Sequence, residues 1–301
     1  MRAVLSAAAA ALVPQDVRAL VDVRALPEDD FSGFDFSDTR FLATPPRGRR
    51  LLPELPRMPE LEVIQVASAG TDWIEGHLPS GVTLCNARGA RDAPVAEWTL
   101  GALLGASSGL LEASAIKSWR HGVELQDLSA WTVLVVGMGS IGRKLEQFLA
   151  PLGTRVIGVV SQARDGLHGT AELPELIPSA DAVVVLTPLT ESTRHLIGAR
   201  ELAAMADGAV LINAGRGAVV DTDALLTELQ RGRIRAVLDV TDPEPLPDGH
   251  PLWHAPGLLA ITPHLAGASA GGHHGAAQLA ADQLGRWARG EPLANVVTAG
   301  G

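Results

Sequence analysis

From residue 133 onward the chain keeps returning to short, continuously apolar runs: VLVVG (133–137), VIGVV (156–160), AVVVL (182–186), AVLIN (209–213), AVLDV (236–240) and LLAIT (258–262). Their starts lie 22 to 27 residues apart, which accommodates a strand, a crossover helix and two loops. The runs do not alternate with polar residues, as expected of strands covered on both faces. Helical patterns with stop signals lie between them. SIGRKLEQFLAPLG ends at Gly153, and DTDALLTELQRG starts on Asp221 and ends at Gly232. These repeated units predict an α/β fold with a doubly wound parallel sheet.

The first 95 residues repeat the pattern more weakly, with RAVLS, VRALVDV, RFLAT, LEVIQVAS and VTLCNA as candidate strands. Pro- and Gly-rich joints such as PPRGRRLLPELPRMPE separate them, so a second α/β unit is expected. A long helix beginning near Pro94, in DAPVAEWTLGALLGASSGLLEASAIKSWR, links the two units. The tail GGHHGAAQLAADQLGRWARG is again helical, and PLANVV is a candidate edge segment.

A formal charge of −10 argues against a sequence-independent grip on nucleic acid or anionic lipid. The single cysteine, Cys85, lies in an apolar stretch and reads as a small buried hydrophobe in a reducing compartment. The N-terminus superficially resembles a signal peptide, but its charged region is minimal and it runs straight into further core-like sequence. No apolar run approaches the ~18 residues a membrane span needs. A cytoplasmic protein without nucleic-acid or membrane partners is expected. HPLWH (250–254) and His273-His274 are the candidate metal ligands. Pro251 disfavours a helical i,i+4 pair, and no Cys or carboxylate cluster accompanies the second pair, so no metal is expected.

VLVVGMGSIGRKL contains Gly137, Gly139, Ser140, Ile141 and Gly142 as a G-x-G-x-x-G between a β-branched strand and an amphipathic helix, the context a dinucleotide loop requires. Gly137 makes the tight turn, Gly139 lets a pyrophosphate approach the backbone and Gly142 lets the helix pack close. The helix N-terminus supplies N–H donors to the phosphates.

In open α/β sheets ligands sit at the carboxyl ends of the strands. Three successive strand ends here run into LINAGRG, LDVTDPEP and ITPHLAG, placing Arg216, Glu244 and His264 on the rim that carries the glycine loop. Reducing a 2-oxo acid with a nicotinamide calls for these groups. A guanidinium holds the carboxylate and polarises the carbonyl, and a His protonates the developing alkoxide. A carboxylate beside the His fixes its tautomer and favours the protonated ring. Each residue alone also suits a solvated loop; together they specify a site.

The end of the second run, VIGVVSQARDG, is where an adenosine ribose is expected. NAD-preferring sites place an Asp or Glu about 20 residues past the glycine loop. Ser161 stands there, 19 positions after Gly142, with Arg164 close behind and no carboxylate before Asp165. A hydroxyl and a guanidinium suit a 2′-phosphate, so NADP is the expected cofactor and NAD the alternative.

The chain resembles the D-isomer-specific 2-hydroxyacid dehydrogenases along nearly its whole length. The resemblance rests on SAGTDWI (68–74), NARGARDAPVAEW (86–98), GMGSIG, LTPLTESTRHLIG (186–198), LINAGRGAVVD (211–221), LDVTDPEP and TPHLAGAS (262–269). It implies that Arg216, Glu244 and His264 are catalytic, with His264 as acid/base. It further implies that backbone N–H groups near Ala69 and Gly70 bind the substrate carboxylate. Thr187, Pro188, Thr193, Ala214, Asp239 and Gly267 would line the cofactor, with Asp239 facing the nicotinamide amide. The architecture it implies is a Rossmann domain over 96–269 and a flavodoxin-like substrate domain from 1–95 plus 270–301. The active site would lie in the cleft, and a homodimer would form through the nucleotide-binding domain. The loop DVTDPEPLPDGHPLW resembles that of glyoxylate/hydroxypyruvate reductases. Two other classes share the scaffold: non-enzymatic dinucleotide-responsive proteins such as the C-terminal-binding-protein corepressors, and formate- or phosphite-type dehydrogenases. Formate dehydrogenases pair the His with Gln, against which Glu244 counts.

Overall fold

A computed structural model describes residues 1–27, 30–115 and 125–297. It comprises two compact units, Met1–Arg91 with Ser269–Gly301, and Asp92–Ala268.

The first unit is built on strands β1 (Arg2–Leu5), β2 (Asp22–Ala25), β3 (Thr39–Ala43), β4 (Val63–Gln65) and β5 (Thr83–Cys85). All four pairings are parallel, in the order β2-β1-β3-β4-β5. That 2-1-3-4-5 order is the flavodoxin-like arrangement. Helix Ala270–Ala288 starts on the Ser269 hydroxyl, which accepts from Gly272 N at 3.0 Å. Its Ala276, Ala277, Ala280, Ala281 and Leu284 follow the helical repeat and share one core with Ala3, Leu5, Ala9 and Val17. The tail pairs antiparallel with β5, Val297 N donating to Leu84 O at 2.8 Å and Asn86 N to Asn295 O at 3.0 Å.

One expectation for this unit changes. VRALVDV is not a single strand: Gln15–Arg18 forms a helical turn and β2 begins only at Asp22, because two turns of chain must cross back before the next parallel strand. The Pro-rich joint contains a ten-residue 3₁₀ segment, Gly48–Arg57, holding Pro53 and Pro56.

The second unit contains β6 (Thr132–Val136), β7 (Arg155–Val160), β8 (His168–Gly169), β9 (Ala182–Val185), β10 (Val210–Asn213), β11 (Arg235–Leu238) and β12 (Leu258–Ile261). The sheet is parallel, in the order β12-β11-β10-β9-β6-β7-β8. The chain enters at the centre, winds to one side through β7 and β8, and returns to the other from β9. The switch point thus falls between β6 and β9. In β6, Leu134 and Val136 belong to one core and Val133 and Val135 to the other. Burial on both faces explains the continuous apolar runs, and each fully buried Val or Leu contributes about 1.5–3 kcal/mol. The two-residue edge strand β8 had no hydrophobic run to announce it.

The long linking helix starts at Asp92 rather than Pro94 and breaks after Ser107, resuming over Leu110–Ala115. Gly109, at φ +65°, turns the chain between the two pieces. The remainder of that expected helix, 116–124, lies outside the described residues.

Candidate active site

β6 delivers the glycine loop to the switch point. Gly137 sits at φ +105°, where a Cβ would come within 2.8 Å of the Leu186 carbonyl carbon and 2.9 Å of Thr187 N. Those neighbours are backbone and cannot yield, so only glycine fits. A Cβ on Gly142 would lie 2.9 Å from Gly137 O. Gly139 differs: it caps helix Ser140–Leu149, and a Cβ there meets nothing within 4 Å. The space over Gly139 is open, and a helix start leaves its first-turn N–H groups, here those of Ser140, Ile141 and Gly142, without intrahelical partners. Open space beside such donors fits a pyrophosphate.

The loop leaving β9 lies against this turn. Thr187 is buried, its hydroxyl donating to Val136 O at 2.9 Å. The Thr193 hydroxyl accepts from Thr190 N and donates to Pro188 O, each at 2.7 Å, closing the loop that carries Pro188. Ala214 N donates to Val185 O at 3.1 Å, bringing the β10 loop alongside.

At the end of β7, Ser161 and Arg164 are exposed. Arg164 and Leu167 exchange two backbone hydrogen bonds of 3.1 and 2.8 Å across Asp165 (φ +50°) and Gly166 (φ +75°). Two successive positive φ angles define a type I′ turn, which projects Arg164 from a rigid base. Among the described residues its guanidinium has no hydrogen-bond or ion-pair partner.

Arg216, Glu244 and His264 stand on the loops after β10, β11 and β12. Buried Asn213 shapes the first: its amide donates to Arg216 O and its carbonyl accepts from Gly215 N, both at 3.0 Å. A Cβ on Gly217 would collide with the Thr241 carbonyl, so the β10 and β11 loops touch. Thr222, at the start of the helix after β10, donates to Asp242 O at 2.8 Å, and within the β11 loop Thr241 donates to Pro243 O at 2.9 Å, fixing the chain just before Glu244.

His264 Nδ1 lies 2.7 Å from Glu244 Oε1. The two side chains are 50% and 42% exposed, so the pair faces solvent rather than the core. With Nδ1–H held by the carboxylate, Nε2 is left for proton exchange. His264 itself adopts φ +56°, and its N–H donates to both Asp239 O and Thr262 O at 2.9 Å. Asp239, 2% exposed, fixes this unusual backbone. Its carboxylate accepts from the Thr262 hydroxyl at 2.5 Å, Leu265 N at 2.7 Å and Ala266 N at 3.0 Å. Gly267 closes the same loop, partly buried. Asn213 and Thr262 were not singled out from sequence. The signals were an Asn two residues before a Gly, apt for a side-chain-closed turn, and a Thr before the Pro-His pair.

In the first unit, the 68–70 loop is tied down by its oxygens. Ser68 Oγ donates to Gly70 O at 2.7 Å, and Asn86 donates to Ala69 O at 3.0 Å. The N–H groups of Ala69 and Gly70 have no partner among the described residues. His250, from the candidate metal pair, caps the turn Pro251–His254, Nδ1 accepting from Leu252 N at 3.2 Å. No group of three or more His, Cys, Asp or Glu suited to a metal occurs among the described residues.

Residues 106–266 match the model of the D-isomer specific 2-hydroxyacid dehydrogenase, NAD binding domain. The chain belongs to that family. It is an NAD(P)-dependent oxidoreductase with the family's two parallel-sheet units. A glyoxylate reductase of Aeropyrum pernix is 30% identical over 262 residues, 81% of this chain and 78% of that protein. A glycerate dehydrogenase of Methylorubrum extorquens is 31% identical over 76% of each chain. Among solved structures, the D-isomer specific 2-hydroxyacid dehydrogenase of Xanthobacter autotrophicus Py2, in complex with NADPH and MES, superposes with a TM-score of 0.80. It is 30% identical and covers 98% of both chains.

Proposed function

We propose that this dehydrogenase reduces a small 2-oxo acid to the D-2-hydroxy acid, with His264 as general acid, Glu244 orienting it, and Arg216 binding and polarising the substrate. The 2.7 Å contact between His264 Nδ1 and Glu244, on loops at the same edge of the sheet as the glycine turn, carries the reading. Bound NAD(P)H supplies the hydride to the carbonyl carbon. Arg216 draws electron density toward the carbonyl oxygen, and His264 delivers the Nε2 proton to that oxygen as the C–H bond forms. Glu244 keeps Nδ1 protonated throughout and favours the imidazolium from which the proton leaves. The free N–H groups of Ala69 and Gly70 take the substrate carboxylate. Asp239, expected from the family resemblance to face the nicotinamide amide, serves in this reading as a positioning residue instead, its carboxylate taken up by Thr262, Leu265 and Ala266 in the His264 loop. Gly137, Gly139, Ser140, Ile141, Gly142, Thr187, Pro188, Thr193, Ala214 and Gly267 hold the cofactor.

NADPH is the preferred cofactor in this reading, with NADH the alternative. Arg164, partnerless on its rigid turn, and Ser161 take the 2′-phosphate, and no carboxylate precedes Asp165 at the strand end, where NAD-preferring sites place one. The Xanthobacter enzyme's NADPH complex supports that choice. The likeness of the 239–253 loop to glyoxylate/hydroxypyruvate reductases, with the Aeropyrum enzyme's name, points to glyoxylate or hydroxypyruvate as the substrate type. A homodimer through the second unit would cover Leu104, Leu110 and Leu125, which are 42%, 66% and 55% exposed. A reducing, cytoplasmic setting suits the lone buried Cys85, and no helix among the described residues is long and apolar enough to cross a membrane.

A steady-state panel of 2-oxo acids, from glyoxylate to phenylpyruvate, against both cofactors tests the proposal. Oxidation of NADPH with at least one acid is expected. No oxidation of either cofactor would refute the enzyme reading and favour the dinucleotide-responsive regulator.

A further inference from the structure

Within the first unit, two peptide planes of the 68–70 loop are fixed by their oxygens. Ala87 N donates to Ser68 O at 2.9 Å, and the Asn86 side chain donates to Ala69 O at 3.0 Å. In a trans peptide the C=O and the N–H point in opposite directions. Drawing Ser68 O and Ala69 O toward segment 86–87 therefore turns the N–H groups of Ala69 and Gly70 away from it, on a loop whose Ala69 is exposed. The two donors are aimed from behind, and one of the two tethers that aim them is a side chain.

Asn86 is itself pinned. Its Oδ1 accepts from Arg88 N at 3.1 Å, which leaves the amide nitrogen facing Ala69 O. Its backbone N–H donates to Asn295 O at 3.0 Å, and the Asn295 amide donates to Arg88 O at 2.9 Å. Asn295 sits at φ +53°, a conformation that Asn adopts more readily than most residues. Behind it, Gln283 of helix Ala270–Ala288, 1% exposed, clasps the preceding residue. Its Nε2 donates to Ala294 O at 2.6 Å and its Oε1 accepts from Ala294 N at 2.9 Å. The buried amide is satisfied at both ends, so the tail is seated on the helix. A line of hydrogen bonds thus runs from the helix through the tail and Asn86 to the Ala69–Gly70 peptide.

We propose that Asn86 and the tail residue Asn295 are positioning residues for the substrate carboxylate, Asn86 setting the Ala69–Gly70 peptide and Asn295 setting Asn86. The proposal rests on the reductase reading above, in which the Ala69 and Gly70 N–H groups take that carboxylate. Neither residue needs to touch the substrate; each acts on how squarely two backbone donors meet it. Released from Asn86, the peptide is free to turn, and the charge-assisted bonds lose their geometry.

The test measures kcat and KM for the best-used 2-oxo acid, the Kd of NADPH, and the Kd of oxamate, a pyruvate mimic that is not reduced. The proteins compared are wild type, Asn86→Ala, Asn295→Gly and the double variant. Asn86→Ala should raise KM and the oxamate Kd about 5- to 10-fold, the size of a lost hydrogen bond, with kcat and the NADPH Kd within about threefold of wild type. Asn295→Gly keeps the positive φ without steric cost and deletes only the side chain. It should raise the same two constants about 2- to 5-fold, and it carries the test where Asn86→Ala fails to fold. The double variant should match Asn86→Ala, because Asn295 acts through Asn86. Unchanged KM and oxamate Kd, losses that fall on kcat or the NADPH Kd instead, or additive losses in the double variant overturn the proposal while leaving the reductase standing. No reduction of any 2-oxo acid by the wild type overturns both.

Discussion

Arg164 is an exposed guanidinium held on a type I′ turn, so its side chain can be removed without disturbing the fold. Arg164→Ala is expected to lower kcat/KM for NADPH about tenfold or more, a lost charge-assisted contact, and to change the NADH value far less. Equal losses with both cofactors would remove its role in cofactor choice. Cys85 makes the opposite case, a titratable group kept silent. Burial pushes its thiol from the ordinary 9.0 up to about 11, so it stays protonated in the folded protein at neutral pH. Native protein should resist iodoacetamide at pH 8, whereas denatured protein reacts. Because the folded state holds this proton more tightly, the associated stability is present below pH 9.0 and is lost as pH rises toward about 11. Rapid alkylation of native protein at pH 8 would contradict that burial. Glu244 and His264 were legible in sequence because each stands in a short, chemically loaded strand-end motif. Thr262 was not, since the bond its hydroxyl donates to Asp239 shows only once the two loops are placed.

The loops at the carboxyl ends of β6 and β9–β12 are packed against one another rather than laid out singly. Gly217 marks the tightest approach, its missing Cβ leaving room for the Thr241 carbonyl. Gly217→Ala is expected to cost about 2–4 kcal/mol through overpacking against backbone. The melting temperature should fall by about 5–10 °C for a protein of this size; an unchanged value would mean that the two loops separate freely. Asp239 binds the last two loops together. Asp239→Asn keeps the volume but disturbs three accepted hydrogen bonds, so kcat should fall about tenfold while the NADPH Kd stays within about threefold. A raised Kd at unchanged kcat would assign Asp239 to the cofactor instead. The strands of the second unit were readable because burial on both faces demands unbroken apolar runs. The helix break at Gly109 was not, because the apolar pattern runs straight through it. Nor was β8, which pairs through Val159 and Val160 alone and needs no hydrophobic run of its own.

At the scale of the whole molecule, two parallel sheets with different strand orders are threaded on one chain that leaves the first unit at Arg91 and returns to it at Ser269. Periodicity alone could not reveal that return, because an amphipathic tail helix matches any apolar surface equally well; the Ala3–Leu5 core it shares is the information that was missing. If the exposed leucines 104, 110 and 125 meet a second copy, light scattering should give twice the chain mass. A monomer at micromolar concentration would contradict the dimer. The account turns on one proton, the one carried by His264 beside Glu244. NADPH oxidation with the best 2-oxo acid should be measured for wild type and His264→Ala, with NADPH binding followed by fluorescence in both. The expected result is a loss of about 10³-fold in turnover, typical of a removed general acid, with cofactor affinity retained. Turnover of the variant within twofold of wild type would contradict the account.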